Sequence, residues 1–374
     1  MVLDLSRVLA GPYATQILGD LGAEVWKVER PGSGDETRAW GPPFVAGESA
    51  YFLSVNRNKR SAALDLADPQ ARATVRRAAL ASDVVVENFL PGDLARRGLD
   101  LAELRREKPA LVTCSITGFG QSGPYAELPG YDAVLQGFTG LMSITGAADG
   151  PPAKVGVAVV DVLSGVHAAA AILGALVGVM RGRGGAQLDL ALFEVGVAAL
   201  VNVAQSTLAT GAPARRHGNA HPTIVPYQTF ECADGLLVIA VGNDEQWKRL
   251  CVALDAPELA ARADWARNPE RVLHRGAVVE AIGSRLRARP LAHWIERLAA
   301  VRVPAGPVRE VHEVIADPAL LLRGMVQAAT LTGAGDPVGV LALPWLADGV
   351  RAPLRLPPPR LGEHTAEFMT RFGR

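Results

Sequence analysis

The sequence predicts an α/β fold, and three observations predict it. Apolar strand-like runs alternate with helical stretches through the first half of the chain, the pattern that builds a parallel sheet with helices on both faces. At 374 residues the chain exceeds what one core usually serves, so two domains are expected. The composition then changes across APARRHGNAHP (212–222). A large Rossmann-like domain over 1–211, a linker over 212–224 and a smaller α+β domain over 225–319 follow from this division.

The elements come in order. VLDLSRV (2–8) is a strand candidate, followed by Gly11-Pro12 and the helical YATQILGDL. Gly22 punctuates, and AEVWKVE (23–29) is the next strand. SAALDL (61–66) leads into the helical DPQARATVRRAALAS, and DVVVENF (83–89) repeats the strand. LDLAELRREKP (99–109) is a helix stopped by its proline before the strand ALVTCSITGFG (110–120). VGVAVVDVLSG (155–165) has the pattern of a buried strand handing over to a buried helix. QLDLALF is a further strand, and EVGVAALVNVAQSTLATG one helix ended by Gly211. In the second unit YQTFECADGLLVIAVG forms an antiparallel hairpin around Asp234-Gly235. Helical segments occupy 245–300, Pro304, Pro307 and Asp317-Pro318 mark a return, and LRLPPPRLGEH is an irregular tail.

Composition excludes several classes of function. Lys+Arg and Asp+Glu balance at 38 each, against the basic excess that nucleic-acid or membrane-surface partners favour. Three cysteines, Cys114, Cys232 and Cys251, lack metal-ligand spacing and cannot all pair, which points to a reducing cytoplasm. The opening VLDLSRVLAGP has no basic n-region or apolar h-region, so no signal peptide is expected. Val162 to Met180 carries no Asp, Glu, Lys or Arg over nineteen residues, long enough to reach across a bilayer. Its Ala, Gly and Val content, with Ser164 and His167, suits a helix buried in a soluble core instead.

Four segments are candidates for chemistry. Strand, glycine turn, helix and a strand ending in Glu29 imitate a dinucleotide-binding unit, but AGPYATQ contains no G-x-G-x-x-G. A nicotinamide cofactor is therefore not expected. Arg30, Arg38, Arg57, Arg60, Arg96 and Arg97 lie on loops after strand ends, where ligands bind in open α/β sheets and where a guanidinium fork suits phosphate. For any one of them taken alone, solvated surface charge is the simpler reading. SITGFGQSGPYAELPGYD (115–132) has enough glycine for tight turns or for backbone amides approaching a ligand. Asp161 is an isolated carboxylate with two readings: the N-cap of the helix that follows, or a desolvated nucleophile. No metal site is indicated, since His217 and His221 lie in a Gly- and Pro-containing linker, and no G-x-S-x-G elbow supports a Ser-His-Asp triad.

Taken together, these segments resemble the class III CoA-transferases, the CaiB/BaiF family. The resemblance is carried by VLDLSRVLAGPYATQILGDLGAEVWKVERPGSGDETRAWGPPF, NRNKRSAALDL, VVVENFLPGDLARRGLD and SITGFGQSGPYAELPGYDAV. The Asp161 segment, HGNAHPTIVPYQTFECADG, VPAGPVREVHEVIADP and LGEHT extend it from Val2 to Thr365. It implies Asp161 as the nucleophile in acyl exchange between an acyl-CoA donor and a small carboxylic acid, with CoA as substrate. CoA contacts are implied at Val8, Leu9, Arg30, Leu64, Asn88, Phe89 and Arg96. Tyr131 and Asp132 are candidates to position the acyl group, and the loop of Gly118 and Gly120 to donate amides to an oxyanion. The resemblance further implies a ring-shaped chain in an interlocked homodimer, with 320–374 returning to complete the large domain.

The departures narrow the activity. Leu9 stands where the formyl-CoA branch carries glutamine, and VIAVGNDEQW (238–247) lacks that branch's glycine-rich flap. Related racemases carry histidine in a G-H-D segment, whereas this chain has Gly130-Tyr131-Asp132. With a pKa near ~10, tyrosine is a poor base for proton transfer at neutral pH. The pattern of GNAHPTIVPYQTF resembles members that use small dicarboxylic acids such as succinate or glutarate. The alternatives to transfer are racemase-type proton exchange and CoA binding without catalysis.

Overall fold

The strands β1 (Val2–Asp4) and β2 (Val25–Glu29) are buried at every position, as strands of a parallel sheet covered on both faces must be. Between them runs α1 (Ala10–Asp20). The computed structural model describes residues 1–374. The chain continues through a short hairpin, β3 (Phe44–Val45) and β4 (Glu48–Ser49), into α2 (Ala50–Ser54) and β5 (Lys59–Ala63). Then follow α3 (Pro69–Ala81), β6 (Val84–Glu87), α4 (Asp93–Arg96), α5 (Leu101–Glu107) and β7 (Val112–Thr117). Helices α6 (Asp132–Phe138), α7 (Leu141–Ile144) and α8 (Val159–Met180) precede β8 (Gln187–Ala191), and α9 (Leu192–Ala198) and α10 (Val201–Thr210) follow it.

Six of these strands pair in parallel in the order β5-β2-β1-β6-β7-β8. Along the chain that order is 3-2-1-4-5-6, the doubly wound arrangement whose ligand crevice opens where the order reverses, outside the carboxyl ends of β1 and β6. Alternating side chains divide between two cores, as the period of two in a strand requires. Val2, Val84, Val86, Val112 and Cys114 pack with residues of α1 and α8 on one face. Leu3, Trp26, Ala62 and Val85 pack with residues of α3 and α5 on the other.

The chain divides into two units: Met1–Leu141, Lys154–Ala212 and Asp317–Arg374 form the first, Met142–Ala153 and Pro213–Ala316 the second. In the second, β9 (Tyr227–Glu231) and β10 (Leu236–Ala240) form the antiparallel hairpin. They are followed by α11 (Asp244–Ala253), α12 (Pro257–Ala260), α13 (Asn268–Leu273), α14 (Arg275–Leu286), α15 (Leu291–Ala300), β11 (Ala305–Pro307) and α16 (Val311–Ile315). Strand β11 joins the other edge of β10. Arg271, fully buried here, is satisfied by the carbonyls of Val225 (2.8 Å) and Trp265 (2.9 Å) and by Asp244 (2.8 Å). In the first unit α17 (Pro318–Leu322), β12 (Val326–Ala329) and β13 (Val338–Leu341) lead to α18 (Thr365–Phe372), whose Phe368 and Phe372 meet Trp26 edge-on at 5.3 and 6.1 Å.

Three expectations change. VGVAVV is not a strand: α8 begins at Val159, and Val155–Ala158 is irregular backbone. The sheet position beside β7 belongs to β8, and the Val155 N–H is taken by the Gln136 side chain at 2.8 Å. The helix after β8 is broken into α9 and α10, bent by 77°, with Val201 at φ +38°. Strand β1 stops at Asp4: the Leu5 N–H still reaches the Val86 carbonyl at 2.8 Å, but the Ser6 N–H goes to the Asp4 side chain (2.9 Å) and the Arg7 N–H to that of Asn88 (2.9 Å). Helix α8 is long and apolar enough to cross a membrane, yet Val160, Ala168, Ala169 and Ile172 belong to the core beside the sheet.

Candidate active site

Small residues bring Asp161 to the crevice. A Cβ on Gly165 of α8 would lie 2.8 Å from the Ala10 carbonyl and 3.0 Å from Tyr13, so glycine lets α8 cross α1 at backbone distance. That crossing sets Asp161, one turn earlier, beside the first turn of α1. A cavity of about 290 Å³ results, lined among others by Val8, Leu9, Ala10, Asn88, Phe89, Gly118, Tyr131 and Asp161. Gly118 and Gly130 meet backbone to backbone on its wall: a Cβ on either would come within 2.8 or 2.6 Å of the other's Cα.

Asp161 is the third residue of α8 and is not its N-cap, correcting one of the two sequence readings. Ala158 occupies the cap position and contributes no side-chain bond. The cap comes from elsewhere in the chain: Asp132 Oδ1 accepts the Val160 N–H at 2.8 Å and the Asp161 N–H at 3.3 Å, while its Oδ2 accepts from Gln136 at 2.6 Å. Asp132 thus anchors the turn that carries Asp161. It also favours the neutral acid there: burial first, and the Asp132 carboxylate second, push the Asp161 carboxyl up to about 7. Desolvation of the ionised form is the larger of the two causes. At neutral pH Asp161 titrates between its ionised carboxylate and its neutral acid.

A second, smaller cavity is lined by Arg30, Leu64, Asp65 and Arg97, and shares Arg7 and Phe89 with the first. The residues singled out in the sequence therefore fall into two groups that meet at Phe89. Arg30 and Leu64 line the smaller space, and Val8, Leu9, Asn88, Gly118, Tyr131 and Asp161 the larger. Asp132 supports the larger one from behind, through α8. Two of the set are not brought in. Arg96 pairs with Asp93 and lies outside both linings. Gly120 lies outside as well, and its N–H is committed to Thr117 Oγ1 at 2.9 Å; the Gln121 N–H goes to Asp189 at 3.0 Å.

Sequence reasoning missed Arg7, which lines both cavities, and named Arg97 only among the loop arginines while the resemblance gave the CoA contact to Arg96. Arg7 directly precedes Val8, and that adjacency was its only signal. Which of two neighbouring arginines lines a cavity depends on where α4 ends. Tyr51 lies in α2, with no motif around it, and packs edge-on against Trp40 at 5.3 Å. Burial, then the charges of Asp161, Asp132 and Asp35, push its hydroxyl up to about 12, so it remains a proton donor at any physiological pH.

Comparison with known proteins identifies the family. The model of "CoA-transferase family III" matches residues 1–365. The chain is 44% identical to the succinate–glutarate CoA-transferase of Agrobacterium fabrum, over 98% of this chain and 93% of the relative. It is 40% identical to the succinyl-CoA:glutarate CoA-transferase of Homo sapiens, over 98% and 84%. The crystal structure of a CaiB/BaiF family protein from Brucella suis superposes with a TM-score of 0.87 at 42% identity, covering 99% of this chain and 97% of that one. A nucleotide-type crevice without nucleotide-binding glycines, and a near-complete match to one family, have a single explanation: the chain belongs to CoA-transferase family III.

Proposed function

We propose that the protein transfers CoA from succinyl-CoA, or a similar thioester, to a small dicarboxylic acid such as glutarate, with Asp161 as the covalent nucleophile. The observation that carries this is Asp161 buried in the wall of the larger cavity, at the switch point of the sheet. The names of the relatives support the choice of acids.

The exchange runs through four attacks. An Asp161 carboxylate oxygen adds to the thioester carbonyl, and the C–S bond breaks to leave an acyl-aspartyl anhydride and CoA thiolate. The thiolate adds to the aspartyl carbonyl and expels the donor acid as its carboxylate, leaving an aspartyl-CoA thioester. An acceptor carboxylate attacks that thioester, re-forming an anhydride and releasing thiolate. The thiolate then attacks the acceptor's carbonyl, giving the new acyl-CoA and free Asp161 carboxylate. Covalent steps in a water-poor cavity conserve the thioester against hydrolysis. Mixing the protein with succinyl-CoA should yield a species heavier by CoA less one water, which hydroxylamine converts to a hydroxamate at Asp161. An adduct on another residue, or none, would sink this assignment.

CoA lies, in this reading, with its nucleotide end at Arg30, Leu64 and Arg97 and its sulfur at Asp161, the pantetheine passing Phe89, Asn88, Val8 and Leu9. Arg97→Ala should raise the KM for acyl-CoA about 10-fold with little change in kcat, because contacts remote from bond exchange are made equally in ground and transition states. Arg96 must leave Asp93 to reach a phosphate, so Arg96→Ala should raise KM less. Initial-rate kinetics with both variants checks the order, and a larger effect at Arg96 would reverse the assignment.

The active species in this reading is an interlocked homodimer. Val166, Ala170, Leu173, Val177 and Met180 recur at helical spacing along α8 and are all exposed, Met180 by 86%. Val201 and Leu208 of α10 add further apolar exposed surface. Apolar stripes of this size mark association sites, and a second copy supplies a matching one. Leu173→Arg should convert a dimer to a monomer in sedimentation velocity; a wild-type protein that sediments as a monomer at micromolar concentration would overturn the dimer.

A further inference from the structure

The peptide joining β1 to α1 is held from several sides. Val8 has φ +71°, a left-handed backbone that a β-branched residue adopts only under constraint. Such strain persists where the surroundings over-determine it. Three side chains do so here. The Lys27 ammonium donates to the Ser6 carbonyl at 2.7 Å. The Asn88 amide accepts the Arg7 N–H at 2.9 Å and donates to the Arg7 carbonyl at 2.7 Å. The Asp35 carboxylate accepts the Val8 N–H with both oxygens at 3.2 Å.

Asp35 is itself fixed. Its side chain has no exposed surface and pairs with the equally buried Lys27 at 2.9 Å. It also accepts from the Thr37 N–H (3.0 Å) and hydroxyl (2.8 Å), and its own N–H donates to Glu29 at 3.0 Å. Glycine would adopt the Val8 conformation without strain. A valine forced into it means that the shape of this peptide is maintained against its own preference, and Val8, Leu9 and Ala10 form part of the wall of the Asp161 cavity.

We infer that Asp35 is a positioning residue: seated on Lys27, it holds the Val8 amide in the strained conformation that shapes the CoA-facing wall beside Asp161. It acts through Val8, since its carboxylate reaches no solvent. The inference rests on the reading that CoA lies along that wall.

The test uses Val8→Gly and Asp35→Asn in the full chain, with CoA affinity by calorimetry, KM for acyl-CoA and for the acid, and the thermal unfolding midpoint. Val8→Gly should unfold at or above the wild-type temperature, yet bind CoA about 10-fold more weakly, since sub-ångström misplacement of a binding wall is felt at that scale. Asp35→Asn should weaken CoA similarly and leave the KM for the acid unchanged. In the Val8→Gly background it should add little further loss, because the strained peptide it holds is gone. Val8→Gly binding CoA as tightly as the wild type overturns the clamp, even if Asp35→Asn fails to fold. So does Asp35→Asn with a lowered midpoint and unchanged affinity. Wild-type protein that binds no CoA overturns the placement of CoA and the clamp with it. If wild type binds CoA but forms no adduct at Asp161, the nucleophile is lost, and the variants' affinities alone decide the clamp.

Discussion

Asp161→Asn should abolish CoA transfer, by about 10⁴-fold or more, and at pH 8 should make the protein more stable. Both effects come from one buried carboxyl. The folded environment raises its pKa from 3.8 to about 7, so the native protein holds this proton more tightly than the unfolded chain does. The stability associated with that proton is complete below about pH 4 and is lost as the pH rises through 7. By pH 8 the ionised, desolvated carboxylate destabilises the fold by roughly 4 kcal/mol relative to a neutral group. Asparagine carries no charge to desolvate. Urea unfolding at pH 5 and pH 8 should show the variant's advantage growing with pH, and a gap independent of pH would contradict the burial argument. Nucleophilic attack needs the ionised form, so wild-type kcat/KM should rise through pH 7. Asp132→Asn, which removes the neighbouring charge, should move that rise to lower pH.

Asp4→Ala costs about 3–5 kcal/mol, the range for stripping one partner from a buried ion pair. Asp4 has no exposure and accepts from Ser6 N–H (2.9 Å), Thr15 Oγ1 (2.6 Å) and the buried Lys59 ammonium (3.1 Å). Burial raises its pKa, but Lys59, Lys27 and the two hydroxyls outweigh burial and hold it at about 2. The stability it contributes is therefore present above its ordinary value near 3.8 and lost as the pH falls toward 2. Removing it leaves Lys59, already pulled down to about 8 by burial, facing Lys27 without their shared counter-charge. Because Asp4 also orients Ser6, ahead of the strained Val8, CoA affinity should fall with stability. Chemical denaturation at pH 7 measures the first effect; a loss under 1 kcal/mol would show that the network tolerates the gap.

The alternation of strands and helices was legible because burial on both faces makes parallel strands such as β6 largely apolar runs. VVVE and VTCSIT needed no tertiary information. Lys59 hid its strand: SAALDL read as starting at Ser61, while β5 begins at a lysine buried against Asp4, Asn56 and the Pro12 carbonyl. A charge reads as a strand end unless its partner is known, and this partner is 55 residues away. The break between α9 and α10 was invisible for a similar reason, since ALVNVA carries neither proline nor glycine to announce a bend.

The sequence by itself determined the fold class and Asp161 as an isolated acid ahead of an apolar helix, because these follow from local pattern and residue type, and the family through the resemblance of motifs spread along the chain. Only the tertiary structure decided what that acid is. Its cap comes from Asp132, its elevated proton affinity from burial and that same neighbour, and its place at the switch point from a glycine that lets α8 touch α1. Each of these is an interaction between segments distant in the chain, and no local pattern encodes the distance at which two such segments meet.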